Sequence, residues 1–171
     1  MRFNPGIMSC EELEAYKHDL LKKYQKQFSL TTFVETGTHR GDAVGFAQSI
    51  FKEMYSFELD PFFYSLCETR FKNVSNVHVT FGDSEIELEK TMDRIPSLDI
   101  LFWLDAHAPE GDLPSLHAFS GFAELENLLK RPLKNCVILV DDIYCDDFYN
   151  QLIAIAPDAE VEMGIARIVL T

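Results

Sequence analysis

The chain predicts an α/β fold: a mostly parallel, doubly wound sheet of about seven strands that closes on a C-terminal antiparallel hairpin. Three observations carry this prediction. Helical-looking segments alternate with short β-rich runs along all 171 residues, the mark of parallel strands joined by crossover helices. The last two β-rich runs, 160–163 and 166–170, are separated only by the residues around Gly164, too few for a parallel crossover. A hydrophobic content of 47% with 12% aromatics fills one core of ordinary size.

Taken in order, Ser9-Cys10-Glu11-Glu12 reads as a Ser-capped helix start, and Leu13, Tyr16, Leu20, Leu21 and Tyr24 then recur at helical spacing. Residues 1–30 are thus a helical segment packed on a single domain of residues 31–171. Strands are expected at 32–35, 54–58, 77–81, 100–104 and 137–140, ahead of the hairpin. Helices fill the gaps at 42–52, 62–72, 84–93, 118–130 and 146–155.

Charge narrows the partners. Fifteen Lys and Arg against 28 Asp and Glu give −13, which repels nucleic-acid backbones and anionic lipid. A small molecule is the expected partner, and oligomeric state is not legible. Cys10, Cys67, Cys136 and Cys145 lack CxxC spacing and the density of a disulfide scaffold, so reduced thiols in a cytoplasm fit. No basic, then apolar, N-terminal segment reads as a signal peptide, and no apolar run is long enough to span a bilayer.

The first strand runs into Glu35-Thr-Gly37-Thr38-His39-Arg40-Gly41-Asp42 and then a helix. Gly37 and Gly41 let the backbone turn tightly and let a ligand approach without meeting a Cβ, at the crevice where such sheets bind nucleotides. Glu58, at the end of the second strand, is placed to accept from both hydroxyls of a ribose. A dinucleotide turn shares that spacing, but its pattern is G-x-G-x-x-G, whereas here it is G-x-x-x-G between Glu35 and Asp42. Two carboxylates repel a pyrophosphate and attract the ammonium and sulfonium of S-adenosylmethionine. Asp42 and Asp60 also read simply as helix caps, with Pro61 opening the helix after Asp60.

E-T-G-T-x-x-G, F-E-L-D, G-D-S, W-L-D-A-H and V-D-D-I occur in the order found in class I S-adenosylmethionine-dependent methyltransferases, and the resemblance covers nearly the whole chain. It resembles small bacterial methyltransferases with a W-L-D-A-H strand end and, more distantly, cation-dependent O-methyltransferases of the catechol type. The resemblance implies that Asp83 accepts from the adenine amine beside Ser84, although either residue also reads as the cap of the next helix. From the catechol-type enzymes it implies a metal on Asp105, Asp141 and Asp142. Physics supports a cation there, because the fourth and fifth strands are neighbours and their terminal carboxylates converge. Mg²⁺, or Mn²⁺ or Ca²⁺, would relieve the repulsion and orient a substrate hydroxyl. The alternative is that Asp142 caps a helix and Asp105 takes a backbone amide or faces solvent.

His107 is suited to removing a proton from the acceptor, as a base beside Asp105, and it also reads as a structural residue or metal ligand. Ala108 stands where catechol-type enzymes place a lysine base, and Ala43 where they place a hydroxyl near the methionine carboxylate, leaving Thr38 or backbone amides to substitute. Residues 108–117 are rich in turn formers and read as a lid, while Phe102 and Trp103 read as core. The expected activity is methyl transfer to a small hydroxylated metabolite or sugar. Its rivals are a nicotinamide-dependent oxidoreductase and a non-catalytic binding module retaining the fold.

Overall fold

Five apolar runs form the parallel strands β1 (Thr32–Thr36), β2 (Glu53–Glu58), β3 (Val77–Phe81), β4 (Ile100–Leu104) and β5 (Cys136–Val140). The molecule is a computed structural model describing residues 9–95, 97–106 and 121–171. Two further strands, β6 (Glu160–Glu162) and β7 (Ile165–Leu170), complete a seven-stranded sheet in the order β3-β2-β1-β4-β5-β7-β6. β7 lies antiparallel between β5 and β6. The expected hairpin is present. Met163 and Gly164 form its two-residue turn, both with positive φ (56° and 75°), the geometry whose twist suits a tight hairpin.

Helices α1 (Cys10–Phe28), α2 (Asp42–Ala47) and α3 (Pro61–Phe71) accompany the first three strands. Helices α4 (Ser84–Met92), α5 (Gly121–Leu129) and α6 (Asp146–Ile155) follow. α2 is shorter than the expected 42–52. Ser49 Oγ donates to the Phe46 carbonyl and Ile50 N–H turns back to Ala47, so the last turn tightens and the helix stops. α1 begins as expected, with Ser9 and Glu12 in a reciprocal capping box.

The central strands β1, β4 and β5 are buried on both faces, and alternate residues feed two cores. Val34, Phe102, Leu104, Ile138 and Val140 pack with Leu88, Leu125 and Leu152 from α4, α5 and α6. Phe33, Leu101, Trp103, Val137 and Leu139 pack on the other face with Leu20, Leu21 and Tyr24 of α1 and Phe71 of α3. Phe102 and Trp103 are core residues, as their sequence predicts. α1 is also held by polar contacts: Arg167 of β7 donates to both Tyr16 Oη and the Glu162 carboxylate, and Tyr16 Oη donates to Glu162 at 3.3 Å.

The strand order reverses between β1 and β4, which pair from Thr32 with Ile100 to Thr36 with Leu104. Neighbouring chains leave such a point in opposite directions, so a crevice opens beyond the carboxyl ends of the two strands. None of the helices among the described residues is long and apolar enough to cross a membrane.

Candidate functional site

β1 ends in a buried carboxyl. Glu35 is 3% exposed and accepts from Ser56 Oγ at 2.6 Å; Thr38 Oγ1 stands 2.6 Å behind Ser56, so the hydroxyls form a relay toward Glu35. Burial pushes the Glu35 carboxyl well above the usual range, against the pull of Ser56 and with help from the charges of Asp105, Glu58 and Asp42. A cation arriving beside it reverses that balance. The Thr38 side chain is thus spent inward, on Ser56.

Past Glu35 the chain folds back over β2, with the N–H groups of Gly37 and Thr38 donating to the Phe57 carbonyl at 3.0 and 3.1 Å. Glu58 holds this loop. One oxygen accepts from His39 N–H at 2.6 Å and the other from Asp60 N–H at 2.8 Å, so its carboxylate joins the first loop to the start of α3. Asp60 caps α3 as expected. Asp42 does not cap α2: Gly41 takes the cap position with φ 76°, and Asp42, one residue in, pairs with Arg70 at 2.9 Å.

A Cβ on Gly37 (φ 81°) would stand 2.6 Å from the Asp105 carbonyl, and one on Gly41 would stand 2.7 Å from the Phe71 ring. The Cβ direction of each glycine faces protein, so these positions let the loop close on β4 and α3. Gly37→Val is accordingly expected to lower fold stability, by roughly 1–3 kcal/mol for the left-handed backbone alone, with the clash in addition. Urea unfolding checks this, and an unchanged midpoint would contradict it.

Beyond β3, Asp83 caps α4 by accepting from Glu85 N–H at 3.0 Å. Ser84 is buried and bonds to Glu124 of α5, which also accepts from Thr36 Oγ1 at 2.8 Å. Burial pushes Glu124 up to about 7, opposed by Ser84 and Thr36 and assisted by Glu85 and Asp83.

At the fourth and fifth strand ends the structure supplies a partner absent from the sequence reading. Lys17 of α1 reaches over Trp103, 5.6 Å from the ring centroid, and its Nζ contacts Asp141 Oδ2. Asp141 Oδ1 accepts from Asp142 N–H at 2.9 Å, and Asp105 Oδ2 accepts from Trp103 Nε1 at 3.3 Å. Burial alone would lower the Lys17 ammonium, but Asp141, Asp105 and Asp142 outweigh it and hold the amine above the usual lysine range. Burial pushes Asp141 up while Lys17 pulls it down. Among the described residues no three His, Cys, Asp or Glu side chains are grouped to hold a metal. The aspartates that sequence assigned to a divalent ion have an ammonium among them. Asp142 does not cap α6; Cys145 does. His107 and the 108–117 lid lie outside the described residues.

These elements enclose an open cleft of about 130 Å³. Glu14, Lys17, His18 and Leu21 of α1 form one wall, Glu35, Gly37, 38–40, Asp42 and Ala43 the other, with Trp103 and Asp105 at the back and Gly41 outside the lining. Glu35, Gly37, Thr38 and Asp105 are thus brought together, while Glu58, Asp83 and Ser84 lie outside this wall and Asp141 sits behind Lys17. The α1 residues of this wall were not singled out in the sequence. Their signal was the spacing 14, 17, 18, 21, one face of a helix, with His18 stacked on Phe46 at 3.8 Å.

No protein-family model matches the chain, and no curated protein is detectably similar in sequence. Solved structures are similar in three dimensions. An O-methyltransferase from Bacillus cereus, in complex with SAH, matches with a TM-score of 0.65 at 16% identity, over 90% of this chain and 80% of that one. A protein named as a caffeoyl-CoA O-methyltransferase from Staphylococcus aureus matches at 0.65 and 14%, over 91% and 83%. An rRNA methylase from Streptococcus thermophilus matches at 0.61 and 16%, over 100% and 99%. With its strand order and its antiparallel β7, the chain has the class I S-adenosylmethionine-dependent methyltransferase fold.

Proposed function

We propose that the protein is an S-adenosylmethionine-dependent methyltransferase that methylates an oxygen of a small hydroxylated metabolite or sugar. The observation that carries this reading is the buried Glu35 carboxyl beneath the switch-point loop, at the back of a cleft that also holds Asp105. A cationic ligand restores its charge, and a pyrophosphate would be repelled, which disfavours a nicotinamide cofactor. Glu35, Gly37, Thr38 and Gly41 would hold the methionine end, Glu58 the ribose, and Asp83 with Ser84 the adenine. When bound, the donor supplies a sulfonium methyl already activated for in-line displacement.

The chain's own work is positioning. α1 and the β1 loop bring the acceptor against the donor side of the cleft, and Trp103 walls off its floor from the core. The proton of a neutral acceptor is assigned to His107, two residues past Asp105. No step is routed through a divalent ion. A net charge of −13 disfavours an RNA acceptor, whose phosphates would be repelled on approach.

Calorimetry with S-adenosylhomocysteine and with NAD tests the reading. The wild type is expected to bind the first alone. Glu58→Ala should weaken that binding by roughly 1.5–3 kcal/mol, the range for hydrogen bonds to a charged group. Heat with NAD and none with S-adenosylhomocysteine would turn the assignment toward the oxidoreductase, and no heat with either toward a binding module of another kind.

A further inference from the structure

We propose that the Lys17 ammonium is the fixed cation of the acceptor site, and that the cleft takes acceptors presenting an ionisable oxygen, such as a phenol, to it. This rests on the methyltransferase reading and deepens it. Lys17 is the cleft residue with a charge secured from behind: its Nζ touches Asp141, whose side chain is fully buried, while its own side chain keeps 19% of its surface exposed. The Trp103 ring lies against it and sets its path from α1. Arg40, the other cation lining the cleft, belongs to the exposed lip.

An ammonium carries three N–H donors, and Asp141 Oδ2 engages one. An acceptor oxygen entering the cleft meets a charged donor in a partly desolvated place, where a charge-assisted bond is strong and the oxyanion is favoured over the hydroxyl. In the transfer, a lone pair of that oxygen forms the new O–C bond. The donor's S–C bond breaks with its pair left on sulfur, and with the acceptor bound as oxyanion no proton moves in the step. Lys17 thereby does, from α1, the charge work that a divalent ion would do.

The test uses 4-nitrophenol, whose phenolate has its own absorbance, added to the full chain without cofactor. Wild type is expected to hold the probe as phenolate below the pH at which free probe ionises. Lys17→Met should weaken this by about tenfold or more, the effect of one charge-assisted hydrogen bond, while Lys17→Arg should retain it. Binding as the neutral phenol, equal binding by Lys17→Met, or no binding by wild type would overturn the proposal. So would a Mn²⁺-induced rise in the melting temperature of wild type that Asp141→Asn abolishes. Because neither arm contains the donor, a failure here is separate from a failure of wild type to bind S-adenosylhomocysteine. Should Lys17→Met fail to fold, Lys17→Arg and the wild-type arms still decide.

Discussion

Asp141→Ala is expected to cost the fold about 3 kcal/mol, the low end of the range for breaking a buried ion pair. The loss is less the missing attraction than the stranded charge. Asp141 is fully buried at its side chain and Lys17 is largely so, and with the carboxylate gone the ammonium remains under α1 without its contact. Asp105 and Asp142, which also hold the lysine charged, keep the effect from being larger. Combining Asp141→Ala with Lys17→Met removes the stranded charge as well, so the double variant should be more stable than the sum of the single losses predicts. Urea unfolding of the four proteins measures this coupling. Additive losses would mean that the pair contributes nothing as a pair.

Lowering the pH from 7 to 5 should strengthen the Glu124 contribution to stability, contrary to the usual behaviour of a carboxylate. Its folded value of about 7 lies above its ordinary 4.5, so between those values the folded protein keeps a proton that the unfolded chain has released. Stability from this group is therefore fully present below about 4.5 and lost as pH rises toward 7, at about 1.4 kcal/mol per pH unit and roughly 3 kcal/mol in all. Glu124→Gln cannot ionise, and its amide oxygen still accepts from Thr36 Oγ1. The variant should gain on wild type at pH 8 and match it near pH 5. Comparing the two proteins cancels the titration of the other acidic residues, and parallel pH profiles would show that Glu124 is not held neutral.

The alternation of parallel strand and helix was legible because each crossover leaves a local trace, and the hairpin because only a tight turn fits around Gly164. Capping at Ser9, Asp60 and Asp83 was legible for the same reason: donor and acceptor lie two or three residues apart. Asp42 was misread one residue along, since a left-handed Gly41 can take the cap position with no side chain to announce it. Lys17 left no local trace. Its carboxylate lies just past β5, with most of the sheet between them in sequence, and acidic residues at two strand ends invite a metal when the helix that neutralises them is not yet folded over them. Glu124 was hidden differently, as one acidic residue in an apolar helix face whose Thr36 partner is 88 positions away. The glycine pattern marked the loop correctly, but which way the missing Cβ points depends on β4 and α3, elements that the loop's own residues do not describe.

Tyr16 and Arg167 lie 151 positions apart, which sets an order of events during synthesis. The helix carrying Lys17 leaves the ribosome long before the strand that clasps it. Closing so long a loop is entropically unfavourable until the intervening sheet has formed. A nascent chain that stops short of β7 can pair β1 with β2 and β4, yet it lacks the guanidinium that binds Tyr16 Oη. The polar clasp at the Lys17 end of α1 is therefore completed only when the last strand is in place, after the apolar face of the helix has found the sheet.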